Sequence, residues 1–226
     1  MERQAYRPIL TRVGAILVVV GSIDIAWMIY CIIHKIPYRS SLNLFAVIAG
    51  LLLVRGSLRT AATVRWFGIF FLTAGIAILI AWPAIEPLDL TLTRIRLNPV
   101  GFAAGAVWVA FIFALLFWVI MELGREAVQV AIDSAGLKRR DMRLPAALGG
   151  ALVIALAVLS GVFLRGASAQ HAKSMATEQV GSGYKFHVNS LRTSSVGDSE
   201  STSGVVTAWN DKEVRDIPVH WQESRH

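Results

Sequence analysis

Cysteine is almost missing from this chain. Cys31 stands alone among 226 residues, inside an apolar run. Neither an intrachain disulfide framework nor a cysteine-based zinc site is therefore available. Charge is scarce as well: Asp, Glu, Lys and Arg make up 16% of the residues, against about a quarter in a soluble domain. No phosphate-cradling glycine loop, Ser/His/Asp set or paired carboxylate can be read, so no motif names a reaction. No internal repeat or pair of interrupted segments marks a repeat-built transporter. The histidines (His34, His171, His187, His220 and His226) are scattered. His187 and His220 fall on strands that would be neighbours, but a metal site needs more ligands. No metal, cofactor or small-molecule substrate is expected.

What is present is apolar sequence. Hydrophobic residues make up 55% of the chain, and the mean hydropathy is +0.57. The apolar blocks are Ile9–Ile33, Leu42–Val54, Trp66–Ile85, Val100–Met121 and Ala146–Leu164. Runs of this length match a bilayer core about 30 Å thick. Trp66, Trp82 and Trp108 lie in or near block ends, where indole rings favour the membrane interface. The expected fold is a membrane all-α bundle of five transmembrane helices in residues 1–165, with spans at about 9–33, 38–60, 65–85, 99–122 and 145–164. A small C-terminal α+β domain, residues 166–226, follows. The second block is too short to span alone. Extending it from Tyr38 to about Thr60 gives enough length if Arg55 and Arg59 snorkel. A re-entrant hairpin is the alternative.

The first block does not read as a cleavable signal peptide, being long and interrupted by Asp24. A lipoprotein reading fails at Tyr30, where a small residue is needed before Cys31. Arg143 to Ala169 has the basic flank, apolar centre and A-x-A end of a signal peptide, but Arg165 and the internal position argue against cleavage.

The net charge of +7 is no nucleic-acid signal, because the basic residues gather at block ends. Placing the N-terminus in the cytoplasm puts eleven Lys/Arg there: Arg3, Arg7, Arg12, Arg55, Arg59, Arg65, Arg125, Lys138, Arg139, Arg140 and Arg143. The outer loops hold four: Lys35, Arg39, Arg94 and Arg96. This is the positive-inside bias of a bacterial inner membrane protein. An odd number of crossings then leaves the tail outside.

Leu88–Leu97 alternates apolar and polar residues, a strand period. It predicts a strand able to pair with the tail, or an extended surface loop. Val128, Ala131, Ile132 and Ala135 recur at helical spacing before Gly136, predicting an extension of span four or a surface amphipathic helix. In the tail, a helix is expected from Gln170 to about Val180, ended by Gly181. Three strands follow: Tyr184–Leu191, Val205–Trp209 and Glu213–Trp221, with Tyr184, Phe186, Val188 and Ser190 on one face. Ser194–Ser203 reads as a mobile loop, with Asp198 and Glu200 solvated, and Asn210-Asp211 as a turn. Pro218 needs an edge strand or a bulge. A domain this small is marginal alone and is expected to lean on a neighbour.

Asp24 is the sharpest single residue, because an ionisable group inside a span is expensive. It reads as a polar contact to Thr73 or towards Arg55, as a proton or ion site, or as a contact to a partner subunit. Glycines mark helix seams: Gly14 and Gly21 on span one, Gly68 and Gly75 on span three, and the Gly101/Gly105 pair on span four. Lys138, Arg139, Arg140 and Arg143 read as a topology anchor, with binding to anionic headgroups as the alternative. The expected partners are the lipid bilayer and other membrane subunits or a second copy, with no nucleic acid. The leading expectation is a non-enzymatic accessory, assembly or scaffold subunit. A transporter or channel component using Asp24, or a sensor passing a signal from the tail to Glu122–Arg143, are the alternatives.

Overall fold

The computed structural model describes residues 5–36, 43–137, 141–164, 166–196 and 199–224. The chain is mostly helical, with a small three-stranded antiparallel sheet near its C-terminus. Among the described residues, four helices are long and apolar enough to cross a membrane: α1 (Arg7–Ile33), α3 (Leu58–Ile85), α5 (Pro99–Leu123) and α7 (Arg143–Phe163). Two compact units share them. One comprises Met1–Ala74 and Phe111–Gly149; the other comprises Gly75–Ala110 and Gly150–His226.

In the first unit, α2 (Asn43–Val54) is a short apolar helix, 12 residues long. At 1.5 Å per residue it covers about 18 Å, short of the hydrocarbon thickness. The expected continuation to Thr60 is not found. Gly56 adopts φ +84°, and its N–H and that of Ser57 bond back to the carbonyls of Leu53 and Leu52. This is a glycine C-terminal cap. Ser57 then opens α3, its Oγ accepting the Thr60 N–H at 3.3 Å. Adjacent stop and start signals break the helix that hydropathy alone would continue. The lower part of the expected extension, Tyr38–Leu42, lies outside the described residues.

α2 runs antiparallel to α1 at glycine-limited distance. A Cβ on Gly14 would stand 2.6 Å from the Gly50 carbonyl oxygen and 2.9 Å from the Val54 nitrogen. One on Gly50 would stand 2.7 Å from the Gly14 oxygen and 2.9 Å from the Val18 nitrogen. Only glycine lets the two backbones approach this closely. Leu10, Val13, Ala49, Leu53, Ala61, Val64, Val119 and Leu123 form a buried core with Val128 and Ile132 of α6 (Glu126–Ser134). α6 is not a continuation of α5. The chain turns at Gly124 and Arg125, whose ψ is 145°, and α6 packs Val128, Ala131 and Ile132 inward before Gly136 ends it at φ +69°. Asp141 caps α7 by accepting the Arg143 N–H at 2.9 Å.

In the second unit, Leu88–Leu97 is a helix, α4, and not the strand its alternation suggests. Pro87 precedes it, Asp89 lies in its first turn, and Arg94 and Arg96 in its last, all matching the helix dipole. Leu90 and Thr93, three apart, form its buried side. The corner before it is clamped by the Arg94–Glu86 ion pair at 2.9 Å and by Trp82 Nε1 donating to Thr91 Oγ1 at 3.2 Å. Asn98 then caps α5, its Oδ1 accepting the Gly101 N–H at 2.9 Å, with Pro99 in the first helical position.

The tail is α8 (Ala167–Val180) on strands β1 (Lys185–Val196), β2 (Ser199–Trp209) and β3 (Val214–Ser224), in the order β1-β2-β3. One helix and three antiparallel strands are as expected. Ala169, Ala172 and Ala176 of α8 pack on Val188, Val206, Ala208, Ile217 and Val219. Pro218 sits on the outer strand β3, opposite Val205. The described residues of Ser194–Ser203 lie in strands and not in a loop: Ser194 pairs with Ser201, and the Thr193 and Thr202 hydroxyls meet at 3.2 Å across the two strands. Cross-strand hydroxyl pairs hold a polar ribbon together. Asp198 lies outside the described residues, and Glu200 pairs with Ser195 and Glu223. A bulge between Val188 and Ser190 shifts the alternation, so Leu191 and not Ser190 joins the core. The bulge residue Asn189 donates from Nδ2 to Thr207 Oγ1 at 2.6 Å.

Candidate functional site

A polar concavity lies where α4 meets the tail. The turn before β1 and the β2–β3 turn bring Tyr184, Lys185, Trp209 and Asp211 to α4 residues Asp89 and Arg96, around a cleft of about 470 Å3. Gly181, at φ +85°, ends α8 and turns the chain towards β1. Asn210 Oδ1 accepts the N–H groups of Lys212 and Glu213, fixing the second turn.

The tie across the cleft is Lys185 Nζ to Asp89 Oδ2, 2.6 Å, between residues 96 positions apart. The hydrogen bond and charge of Lys185 hold the Asp89 carboxyl below its ordinary range, and Asp89 raises Lys185 in return. Beside it the Tyr184 hydroxyl donates to Glu213, which also pairs with Arg215 at 2.8 Å. This bond raises the Tyr184 phenol and lowers the Glu213 carboxyl. Asp89 and Glu213 are each committed to a donor, so the arrangement fastens α4 to the sheet and keeps both carboxylates charged. The tail meets Leu88–Leu97, one of several supports it could have, through an exposed ion pair to a helix instead of a strand edge. Sequence reading missed Asp89, Lys185, Tyr184 and Glu213 as a group, because no local spacing joins them.

Asp24 is half-buried on α1, in the turn after the buried Gly21. Arg55 is exposed at the end of α2. The Thr73 hydroxyl bonds within its own helix, to the carbonyls of Ile69 and Phe70 at 2.8 and 3.0 Å. Among the glycines, Gly14 meets Gly50, which sequence reading left out because α2 was the weakest block. Gly68 is buried, a Cβ there lying 3.1 Å from Ile120 Cγ1. Gly75 is half-buried. A Cβ on Gly101 would run into the Asn98 side chain that caps its helix, and nothing lies within 4 Å of a Cβ at Gly105. Gly149 packs on α3, a Cβ there meeting the Phe70 carbonyl oxygen at 2.6 Å. Of the basic run, Lys138, Arg139 and Arg140 lie outside the described residues, while Arg143 is exposed at the start of α7. The A-x-A triplet Ala167-Ser168-Ala169 forms the first turn of α8, with Ala169 in the tail core.

Among the described residues no three His, Cys, Asp or Glu side chains converge as metal ligands would. His171 stacks edge-on with Trp221 at 5.0 Å. No family model matches the chain, and no curated protein or solved structure matches it significantly.

Proposed function

We propose that this chain is a non-enzymatic, multi-pass subunit of a larger membrane complex, acting in its assembly or scaffolding through the C-terminal domain. The observation that carries this reading is the thinness of that domain. Among the described residues its buried core cluster is eight residues, four of them alanine, and larger side chains such as Phe186 and Trp221 are only partly buried against it. Its outer strands β1 and β3 each pair on one side only among the described residues, and its ion pair to α4 is exposed on both sides. A domain with so little apolar burial gains most from a further protein surface.

The reading places the N-terminus in the cytoplasm of a bacterium and the tail outside its inner membrane. Five crossings are needed, and the α1–α2 pairing supports them. The end of α2 returns to the start of α1: Val54 reaches Gly14, and Gly56 approaches Arg7. α2 thus ends beside the start of α1, which supports a return of the chain to the side where α1 began. Arg12, over the Trp118 ring at 5.6 Å, suits that basic interface.

The test is crosslinking and pull-down of the full-length protein from native membranes, beside a version ending at Leu164. Defined partners that vanish with the tail are expected. Only self-crosslinks in both versions would contradict the reading and turn attention to Asp24 and transport.

A further inference from the structure

A second crevice, of about 240 Å3, opens in the unit that contains the tail. It lies between the α3–α4 corner (Pro83, Pro87), the end of α7 (Ser160, Gly161), Lys173 of α8 and His187 of β1. We propose that it holds the headgroup of an anionic phospholipid.

Charge is the first support. Lys173 is the one fixed charge lining the crevice, no carboxylate lines it, and Lys173 makes no ion pair among the described residues. An ammonium so placed recognises a phosphate as a point charge, with the Ser160 hydroxyl as a second donor. Depth is the second. The crevice sits at the C-terminal ends of two spanning helices, the level at which lipid phosphates lie. Continuity is the third. Towards the membrane interior the same helices expose Ile80 (76%), Ile154 (66%) and Val158 (60%), which offer acyl chains an apolar track. A soluble anion would use the cation but not that track, so the occupant is a membrane lipid. The site is independent of any partner the tail binds.

The experiment titrates the full-length protein in detergent with phosphatidylglycerol, and with phosphatidylcholine of the same acyl chains, and counts bound lipids by native mass spectrometry. Phosphatidylglycerol is expected to bind in preference. Lys173→Ala should weaken it about tenfold, as loss of one charge-assisted contact does, while Lys173→Arg restores it. Lys212→Ala, on the exposed β2–β3 turn, should leave it unchanged. Recovery in Lys173→Arg separates loss of charge from loss of fold. Equal binding of the two lipids, an unchanged preference in Lys173→Ala, or displacement of the lipid by millimolar inorganic phosphate would overturn the proposal.

Discussion

Replacing Gly50 with alanine adds one methyl group at the point where α1 and α2 cross. It would stand 2.7 Å from the Gly14 oxygen, 2.8 Å from Val18 Cγ2 and 2.9 Å from the Val18 nitrogen. The Val18 methyl group can turn away, but two of these neighbours are backbone, so the helices must part by several tenths of an ångström. Forced insertion into a packed seam costs about 1–3 kcal/mol. Alanine's better helix propensity returns up to about 1 kcal/mol. The net expectation is destabilisation of about 1–2 kcal/mol. The same exchange at Gly105, where nothing lies within 4 Å, brings only the propensity gain and should be neutral or slightly stabilising. Thermal unfolding of both variants in one detergent measures the difference. At about 2–4 °C per kcal/mol for a chain of this size, Gly50→Ala should melt several degrees below Gly105→Ala. Equal melting, or the reverse order, would refute the claim that a backbone contact at Gly50 holds the seam.

Three further outcomes follow from the packing and charge described above. Leu123 is fully buried in the core of the first unit, and Leu123→Ala should lower stability by about 2–5 kcal/mol in the same melt. The Asp89–Lys185 tie has a pH window with both limits set by linkage. The depressed Asp89 group contributes above its ordinary value of 3.8 and loses that contribution as pH falls through its lowered value; the raised Lys185 group contributes below 10.5 and loses it as pH rises through its raised value. NMR chemical shifts around Lys185 should therefore be flat between these limits and change in acid, and Asp89→Asn should remove the acid transition. The Tyr184 phenol should ionise above its ordinary 10.0 by ultraviolet titration, and return towards that value in Glu213→Gln.

The long helices were legible because burial in lipid asks for long apolar runs, and the one-helix, three-strand tail because a face buried in a core imposes a period on the sequence. What failed were segments where two periods fit. Leu88, Leu90 and Leu92 alternate as a strand does, yet Leu88 and Leu92 are also four apart. Pro87 before them and Asn98-Pro99 after them are the helix boundary signals that decide it. The end of α2 was hidden because an arginine that can snorkel, Arg55, softened the boundary, while Gly56 was the stop signal. The bulge at Asn189 leaves no pattern in one strand, since it depends on what β2 presents opposite. Gly50 becomes a seam residue only once Gly14 is placed against it, and Asp89 finds Lys185 only after the tail has folded back on α4.

The most direct test of the account is the sidedness of the two ends. With Cys31 replaced by serine, single cysteines at Ala5 and Lys212 are labelled in intact cells and again in opened cells by a membrane-impermeant thiol reagent. The five-crossing account predicts label at position 212 in intact cells and at position 5 only after opening. Label at both positions on the same side would mean that α2 does not carry the chain across, and the account would fail.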